Sequence, residues 1–251
     1  MKFKKQIIQL LQVPFRGNNV RRKPIRGIIS LFFPQCCCIC DEKLIEGERH
    51  ICLNCLLKMP KTNYHLQPEN GAADRFKGKI PYERVTSFLY YNKRGFSQKI
   101  VKAIKYRGNT ILGHHIGLLM SQEIQQSSPF FEGIDLLIPI PLHRKKLKKR
   151  GFNQAEEIAK GIREATNIPF NNSLVIRKKQ TQTQTKKGRY ARWLNTIDVF
   201  TLNEESDFNY KHVLIVDDVL TTGATIEACT QTILTSYPDV KISVLTLAVA
   251  E

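Results

Sequence analysis

Residues 212–225 read H-V-L-I-V-D-D-V-L-T-T-G-A-T, and this stretch constrains the chain more than any other. Val213 to Val216 form an unbroken apolar run, the pattern of a central parallel strand buried on both faces. Two acids, Asp217 and Asp218, end that strand, and Thr221, Thr222, Gly223, Ala224 and Thr225 make a small-residue turn. Beyond the turn, Ile226, Cys229 and Ile233 recur at helical spacing, which places them on one inward face. A strand, turn and helix in this order present unpaired amide N–H groups and the positive end of a helix dipole, which together hold a phosphate. Gly223 lets the backbone close on a ligand, the threonine hydroxyls add donors, and the two carboxylates can accept from a vicinal diol. A buried strand with a capped turn explains the apolar run but gives an adjacent acid pair no packing purpose. The chemistry addressed is that of a sugar phosphate.

The stretch resembles the motif by which type I phosphoribosyltransferases bind 5-phosphoribosyl 1-diphosphate (PRPP): four apolar residues, D-D, two apolar residues, T-T-G-A-T. The resemblance implies that Asp217 and Asp218 take the ribose 2′- and 3′-hydroxyls. It also implies that Thr221, Thr222, Gly223, Ala224 and Thr225 take the 5′-phosphate.

A chain of 251 residues holds one good-sized core and a small appended module. No apolar run reaches the roughly 18 residues that read as a membrane span. The formal charge of +17 implies attraction to phosphate-rich partners, whether nucleotide, nucleic acid or anionic lipid. Six of the seven cysteines fall between Cys36 and Cys55, too local for a disulfide framework. Thiols this dense, without an export signal, point to a reducing, cytoplasmic compartment and a metal. Cys37-x-x-Cys40 and Cys52-x-x-Cys55 pair naturally as two knuckles around a structural Zn²⁺. Cys36-x₃-Cys40 is an alternative register for the first knuckle; equal spacing favours Cys37. His50 reads as a solvated loop residue.

Residues 1–33 carry eight cations and no acid, and read either as a basic arm for DNA or lipid headgroups or as a solvated extension. Residues 61–80, with Pro68, Asn70, Gly71 and Gly78, read as a linker. A strand over 85–91, a helix over 98–106 with Ile100, Val101 and Ile104 inward, and a helix over 111–126 follow. His114 and His115, in that second helix, read as surface residues. Asp135 to Pro141 reads as a buried strand, and His143 to Gly151 as a cationic loop suited to a polyphosphate. Asn153 caps a helix, with Glu156 at capping-box spacing and Ala155, Ile158, Ala159 and Ile162 inward. Leu174 to Ile176 is a short strand, Arg177 to Leu194 a long polar loop, and Lys241 to Ala250 a last strand. Strands alternating with helices predict an α/β domain built on a mainly parallel sheet with flanking helices.

Together these segments resemble the ComF family of competence-associated, GntX-like phosphoribosyltransferase-like proteins over residues 28–251. The resemblance is carried by the cysteine knuckles, Lys105-Tyr106-Arg107-Gly108, and Pro139-x-Pro141-Leu142-His143-Arg144 through Arg150-Gly151-Phe152-Asn153-Gln154. Arg177, Gln184, Arg189, Arg192, Trp193, Asn195 and the Asp217–Thr225 motif complete it. It implies a type I phosphoribosyltransferase-like fold over 81–251 and a zinc module over 28–60, while the basic extension over 1–27 lies outside it. It implies PRPP or another ribose phosphate as ligand, with Mg²⁺ at the diphosphate, and Asp217, Asp218 and Arg144 as the catalytic group. Arg144 neutralises the departing charge, and the loop after Arg177 closes over the site. Two functions follow: phosphoribosyl transfer to an acceptor the sequence does not reveal, or a non-catalytic competence factor that binds single-stranded DNA and a helicase. No G-x-x-x-x-G-K-[ST] pattern occurs, so the chain is not itself a P-loop motor.

Overall fold

The computed structural model describes residues 35–93, 95–106, 110–177, 199–203 and 208–250. The basic extension lies outside these residues. So do most of the loop after Arg177 and the residues Gln184, Arg189, Arg192, Trp193 and Asn195. The chain divides into two compact units, Met1–Met59 and Pro60–Glu251.

In the larger unit four strands form one parallel sheet: β1 (Arg84–Tyr91), β2 (Leu136–Pro139), β5 (His212–Leu220) and β6 (Lys241–Ala250), in the order β1-β6-β5-β2. A separate antiparallel ribbon pairs β3 (Val175–Arg177) with β4 (Phe200–Leu202). Strand alternation separates the two faces of the sheet. Val213 and Ile215 of β5 join Leu136, Ile138, Ile226, Cys229 and Ile233 in a core beneath the helix of residues 224–236. On the other face lie α2 (Phe96–Tyr106), α3 (Thr110–Ser127) and α5 (Gln154–Thr166). The expected mainly parallel sheet with flanking helices is what the chain forms.

Residues 61–80 correct the linker reading. Lys61 bridges to Leu89 of β1, two short 3-10 turns follow at Tyr64–Leu66 and Ala73–Arg75, and Ala72, Ala73 and Phe76 are fully buried. Asn70 organises the segment. Its Oδ1 accepts from the N–H groups of Ala72 and Ala73, each at 3.0 Å, and its Nδ2 donates to the carbonyls of Gln67 at 2.7 Å and Val85 at 3.0 Å. Pro and Gly mark turns here, but four apolar side chains between the turns have a core to enter.

The cationic loop expected over 143–151 is also corrected. It forms a helix, α4 (Arg144–Arg150), because His143 caps its start through Nδ1 and Gly151, at φ +80°, closes its end. Lys148, Lys149 and Arg150 sit in the last turn, where the dipole favours cations. Asn153 caps α5 as expected, its Oδ1 accepting from Ala155 N–H at 3.2 Å. Glu156 is engaged instead with Lys160 at 3.1 Å. His114 is not a bare surface residue: its Nε2 lies 2.9 Å from the carboxylate of Glu164 on α5. The two helices meet backbone to backbone there, since a Cβ on Gly161 would stand 2.0 Å from the His114 carbonyl oxygen.

In the smaller unit, residues 35–59 fold around a cysteine cluster and end in α1 (Leu53–Leu57). Among these residues His50 is half-buried with φ +59°, not a solvated loop residue, and its carbonyl accepts from Cys38 N–H at 2.8 Å.

Candidate functional site

The strand β5 runs further than its neighbour. β2 stops at Pro139, paired with Val216, whereas β5 continues through both acids to Leu220. The acids therefore stand on the part of the strand that has lost a partner on one side, at the carboxyl edge of the sheet. A cavity of about 450 Å³ opens there. Asp217, Asp218, Val219, Thr221 and Thr225 form one wall, and Lys146, Arg150, Asn153 and Gln154 another. Tyr91, Lys105 and Arg177 complete the polar lining.

Adjacent residues of a strand point to opposite faces, and each acid meets a cation supplied by its own layer. Lys105, at the end of α2, places Nζ 2.5 Å from Asp218 Oδ2. Asp217 faces the other layer, where Arg177 of β3 contributes a favourable charge. Burial, reinforced by the charge of Asp218, pushes the Asp217 carboxyl up to about 8, against the pull of the Asp218 N–H, Lys105 and Arg177. The Asp218 N–H donates to Asp217 Oδ1 at 2.8 Å.

The turn beyond β5 opens a helix at the edge of this cavity. Gly223 takes the N-cap of α6 (Ala224–Ser236) with φ +84° and has no side chain with which to cap it. Thr221, Thr222 and Ala224 are exposed and Thr225 is half-buried. The Thr222 hydroxyl accepts from Ala224 N–H at 3.4 Å. Phe76 lies under the turn, its Cε1 2.8 Å from where a Cβ on Gly223 would stand.

The structure thus brings Asp217, Asp218, Thr221 and Thr225 to one cavity, with Gly223 behind them. Arg144 is exposed on the first turn of α4 and is not among the lining residues; Lys146 and Arg150 of the same helix are. Lys105 and Gln154 enter the sequence reading only through the family resemblance, without a place at the site. Arg150, by contrast, falls in the cationic stretch expected to hold a polyphosphate, and Arg177 begins the loop expected to close over it. Phe76 was missed altogether, although Ala72, Ala73, Phe76 and Ile80 recur at near-helical spacing and could have signalled burial.

In the smaller unit the Sγ atoms of Cys37, Cys40, Cys52 and Cys55 all lie within 4.8 Å of one another, and Cys40 and Cys52 are 3.6 Å apart. Four thiolates at about 2.3 Å from a tetrahedral Zn²⁺ stand about 3.8 Å from each other, so the donor set fits that ion. Cys37, not Cys36, takes part. Amide N–H groups reach the sulfurs, Cys52 N–H to Cys37 Sγ at 3.3 Å and Cys55 N–H to Cys52 Sγ at 3.4 Å. Burial works to raise the Cys37 thiol, but hydrogen bonds from the backbones of Cys40, Cys52 and Ile39 outweigh it and bring it to about 7. Burial and the neighbouring sulfurs push Cys55 up.

Residues 109–250 match the family described as the phosphoribosyl transferase domain. The chain is 36% identical over 93 residues to Competence protein F of Haemophilus influenzae, covering 37% of this chain and 41% of that protein. It is 22% identical over 236 residues to Competence protein ComFC of Bacillus subtilis, covering 84% of this chain and 93% of that protein. It is 23% identical over 215 residues to DNA utilization protein YhgH of Escherichia coli K12, covering 81% and 92%. A solved adenine phosphoribosyltransferase from Leishmania tarentolae aligns with a TM-score of 0.32 and 15% identity, over 72% of this chain and 88% of that one. No described helix is long and apolar enough to cross a membrane.

Proposed function

We propose that this chain, which belongs to the phosphoribosyl transferase domain family and is a ComF-family phosphoribosyltransferase-like protein, binds PRPP or a close ribose phosphate in the cytoplasm and serves DNA uptake. The observation that carries the reading is the meeting of the N-terminus of α6 with Asp217 and Asp218 in a single cavity. The amides from Thr222 to Thr225 hold the 5′-phosphate. Asp217 and Asp218 both line this cavity, and in this reading they take the two ribose hydroxyls.

If the site turns over, the bond from ribose C1 to the diphosphate oxygen breaks, the diphosphate leaves with the electron pair, and an acceptor bonds to C1. Positive charge develops on the sugar ring, and the acids at its hydroxyls stabilise it. Lys146 and Arg150 meet the departing diphosphate, with Arg144 adding its charge from the first turn of the same helix. Lys105, in contact with its Oδ2, orients Asp218. Two carboxylates beside a diphosphate suit a hard cation, and Asp217 and Asp218 would hold Mg²⁺ or the hydroxyls it touches. When bound, that ion supplies neutralisation of the diphosphate charge. In the smaller unit, Cys37, Cys40, Cys52 and Cys55 hold Zn²⁺ as a folding staple, since no fourth position is left open for chemistry.

A second reading is favoured by α4, where six of seven residues, Arg144 to Arg150, are cationic and most are exposed. Relatives named for competence and DNA utilization support a role in handling DNA, to which this reading adds single-stranded DNA as ligand and a helicase as partner. One experiment separates the readings. PRPP consumption is followed across nucleobases and aromatic amines, with single-stranded DNA binding measured alongside at several salt concentrations. The Asp217→Asn/Asp218→Asn double variant abolishes PRPP binding with the fold intact, and unchanged calorimetric affinity in that variant defeats the assignment.

A further inference from the structure

Gln154 is the first residue of α5 and lines the cavity, yet it is only 3% exposed. Its Oε1 accepts from Arg150 Nη1 at 2.7 Å. A guanidinium only donates, so this contact fixes which end of the amide faces Arg150 and leaves Nε2 turned away from it. Among the described residues that buried Nε2 meets no acceptor. A buried donor without a partner is costly, so its persistence beside a cavity calls for an acceptor that arrives from outside the protein. Gln154 is among the residues lining the cavity, so an acceptor bound there comes within reach of its amide. Three features there agree in sign. Gln154 starts a 13-residue helix whose dipole favours negative charge, Lys146 and Arg150 line the same wall, and Nε2 offers N–H donors.

We infer that Gln154, held in register by Arg150, is a specificity-determining residue that donates to the C1 diphosphate and makes the cavity prefer a ribose 1-diphosphate to a ribose with a bare C1 hydroxyl. This rests on the ribose-phosphate reading of the cavity and adds to it a residue that sets which ribose phosphate is taken. Arg150 is a positioning residue for the amide as well as a charge. Asn153 beside it is spoken for, with Nδ2 donating to the Ile140 carbonyl at 2.9 Å and Oδ1 capping α5. Gln154 is therefore the neutral side chain on this wall with a donor to give.

The test is calorimetry on the full chain with Mg²⁺, using PRPP, ribose 5-phosphate and inorganic pyrophosphate as three separate probes. Gln154→Leu is close in size and has no donor, and Gln154→Glu replaces the donor by a charge that repels phosphate. The expected result is that Gln154→Leu weakens PRPP and pyrophosphate about tenfold or more, as loss of a hydrogen bond to a charged group does. Gln154→Glu weakens them further, and both variants bind ribose 5-phosphate like the wild type. Equal PRPP affinity in wild type and Gln154→Leu overturns the inference, as does an equal loss for PRPP and ribose 5-phosphate, which is a structural effect. If the wild type binds pyrophosphate in a Gln154-dependent way but neither ribose phosphate, the diphosphate contact of Gln154 stands, and the ribose reading fails together with the preference built on it. If the wild type binds none of the three, both fall.

Discussion

Gly223 rests against the ring of Phe76, so closely that a Cβ on residue 223 would stand 2.8 Å from Phe76 Cε1. The turn that opens α6 is thus held from below by a fully buried side chain 147 positions earlier in the chain. Gly223→Ala meets two penalties, a left-handed backbone at φ +84° and a displaced ring. Each costs about 1–2 kcal/mol. The variant should lose several °C in melting temperature and bind ribose 5-phosphate about tenfold more weakly. Phe76→Leu in the same chain should restore part of the binding, because the ring edge that the new methyl strikes is gone. Calorimetry on the two single variants and the double variant reads this directly.

The Lys105–Asp218 pair gives a double-mutant cycle. Both side chains are less than a quarter exposed, so removing one partner strands a partly desolvated charge. Lys105→Met and Asp218→Asn should each destabilise the protein, and the double variant should recover part of the sum. A coupling of about 1–3 kcal/mol is expected from urea unfolding. A coupling indistinguishable from zero shows that the 2.5 Å contact does not persist in solution.

Asp217 makes stability depend on pH. Its folded carboxyl is raised to about 8 from an ordinary 3.8, by burial first and by Asp218 second. An acid with a raised folded pKa favours the folded state fully below its unfolded value, and that contribution is lost as pH rises towards the folded one. Asparagine does not titrate. The melting temperature of Asp217→Asn relative to wild type should therefore climb between about pH 4 and pH 8 and level off above. A difference that stays flat across that window rejects the assignment. The same variant loses ligand affinity, so stability and binding move in opposite directions, as expected of a residue kept for function.

The parallel sheet, the helix faces and the acid-bearing strand are all legible in the sequence, because each has a local pattern. Val213–Val216 announces a two-sided strand, and Ile226, Cys229 and Ile233 a helix face. The failures share one cause, which is tertiary contact overriding local composition. Turn formers over 61–80 suggest a linker, but Asn70 satisfies five backbone groups there and sends Phe76 into the core beneath Gly223. A run of lysines suggests a loop, but caps at His143 and Gly151 turn it into α4, with Lys146 and Arg150 towards the cavity and Arg144 away. Lys105 carries no local sign that it will meet Asp218, since the meeting depends on how α2 lies against the sheet.

Removing the metal should act on one unit. With Zn²⁺ chelated, four thiols within 4.8 Å of one another lose the ion that gathers them, and residues 35–59 contain few other buried apolar side chains. Hydrogen exchange should show protection lost across 35–59 after chelation, while β5 and β6 keep theirs. Cys52→Ser should behave like the chelated protein, whereas Cys36→Ser, outside the cluster, should retain one equivalent of zinc by metal analysis. Loss of zinc in the Cys36 variant would reassign the first knuckle.

The exposed cations of α4 make a separable claim about DNA. Lys145, Lys148 and Lys149 are exposed and do not line the cavity, whereas Lys146 and Arg150 do. Changing the first three to glutamine removes charge from the surface without touching the ribose-phosphate site. Each phosphate contact on a single strand contributes about 0.7 to the slope of log affinity against log salt. If all three lysines bind phosphates, the triple variant should have a slope about 2 units shallower than wild type, with ribose 5-phosphate affinity unchanged. An unchanged slope would move the DNA surface away from α4, and a joint loss of both ligands would mean that DNA and sugar phosphate compete for one basic site. The outcome turns on geometry more than on total charge: at +17 the chain attracts nucleic acid from many directions, and only a slope that responds to these residues ties the strand to this helix.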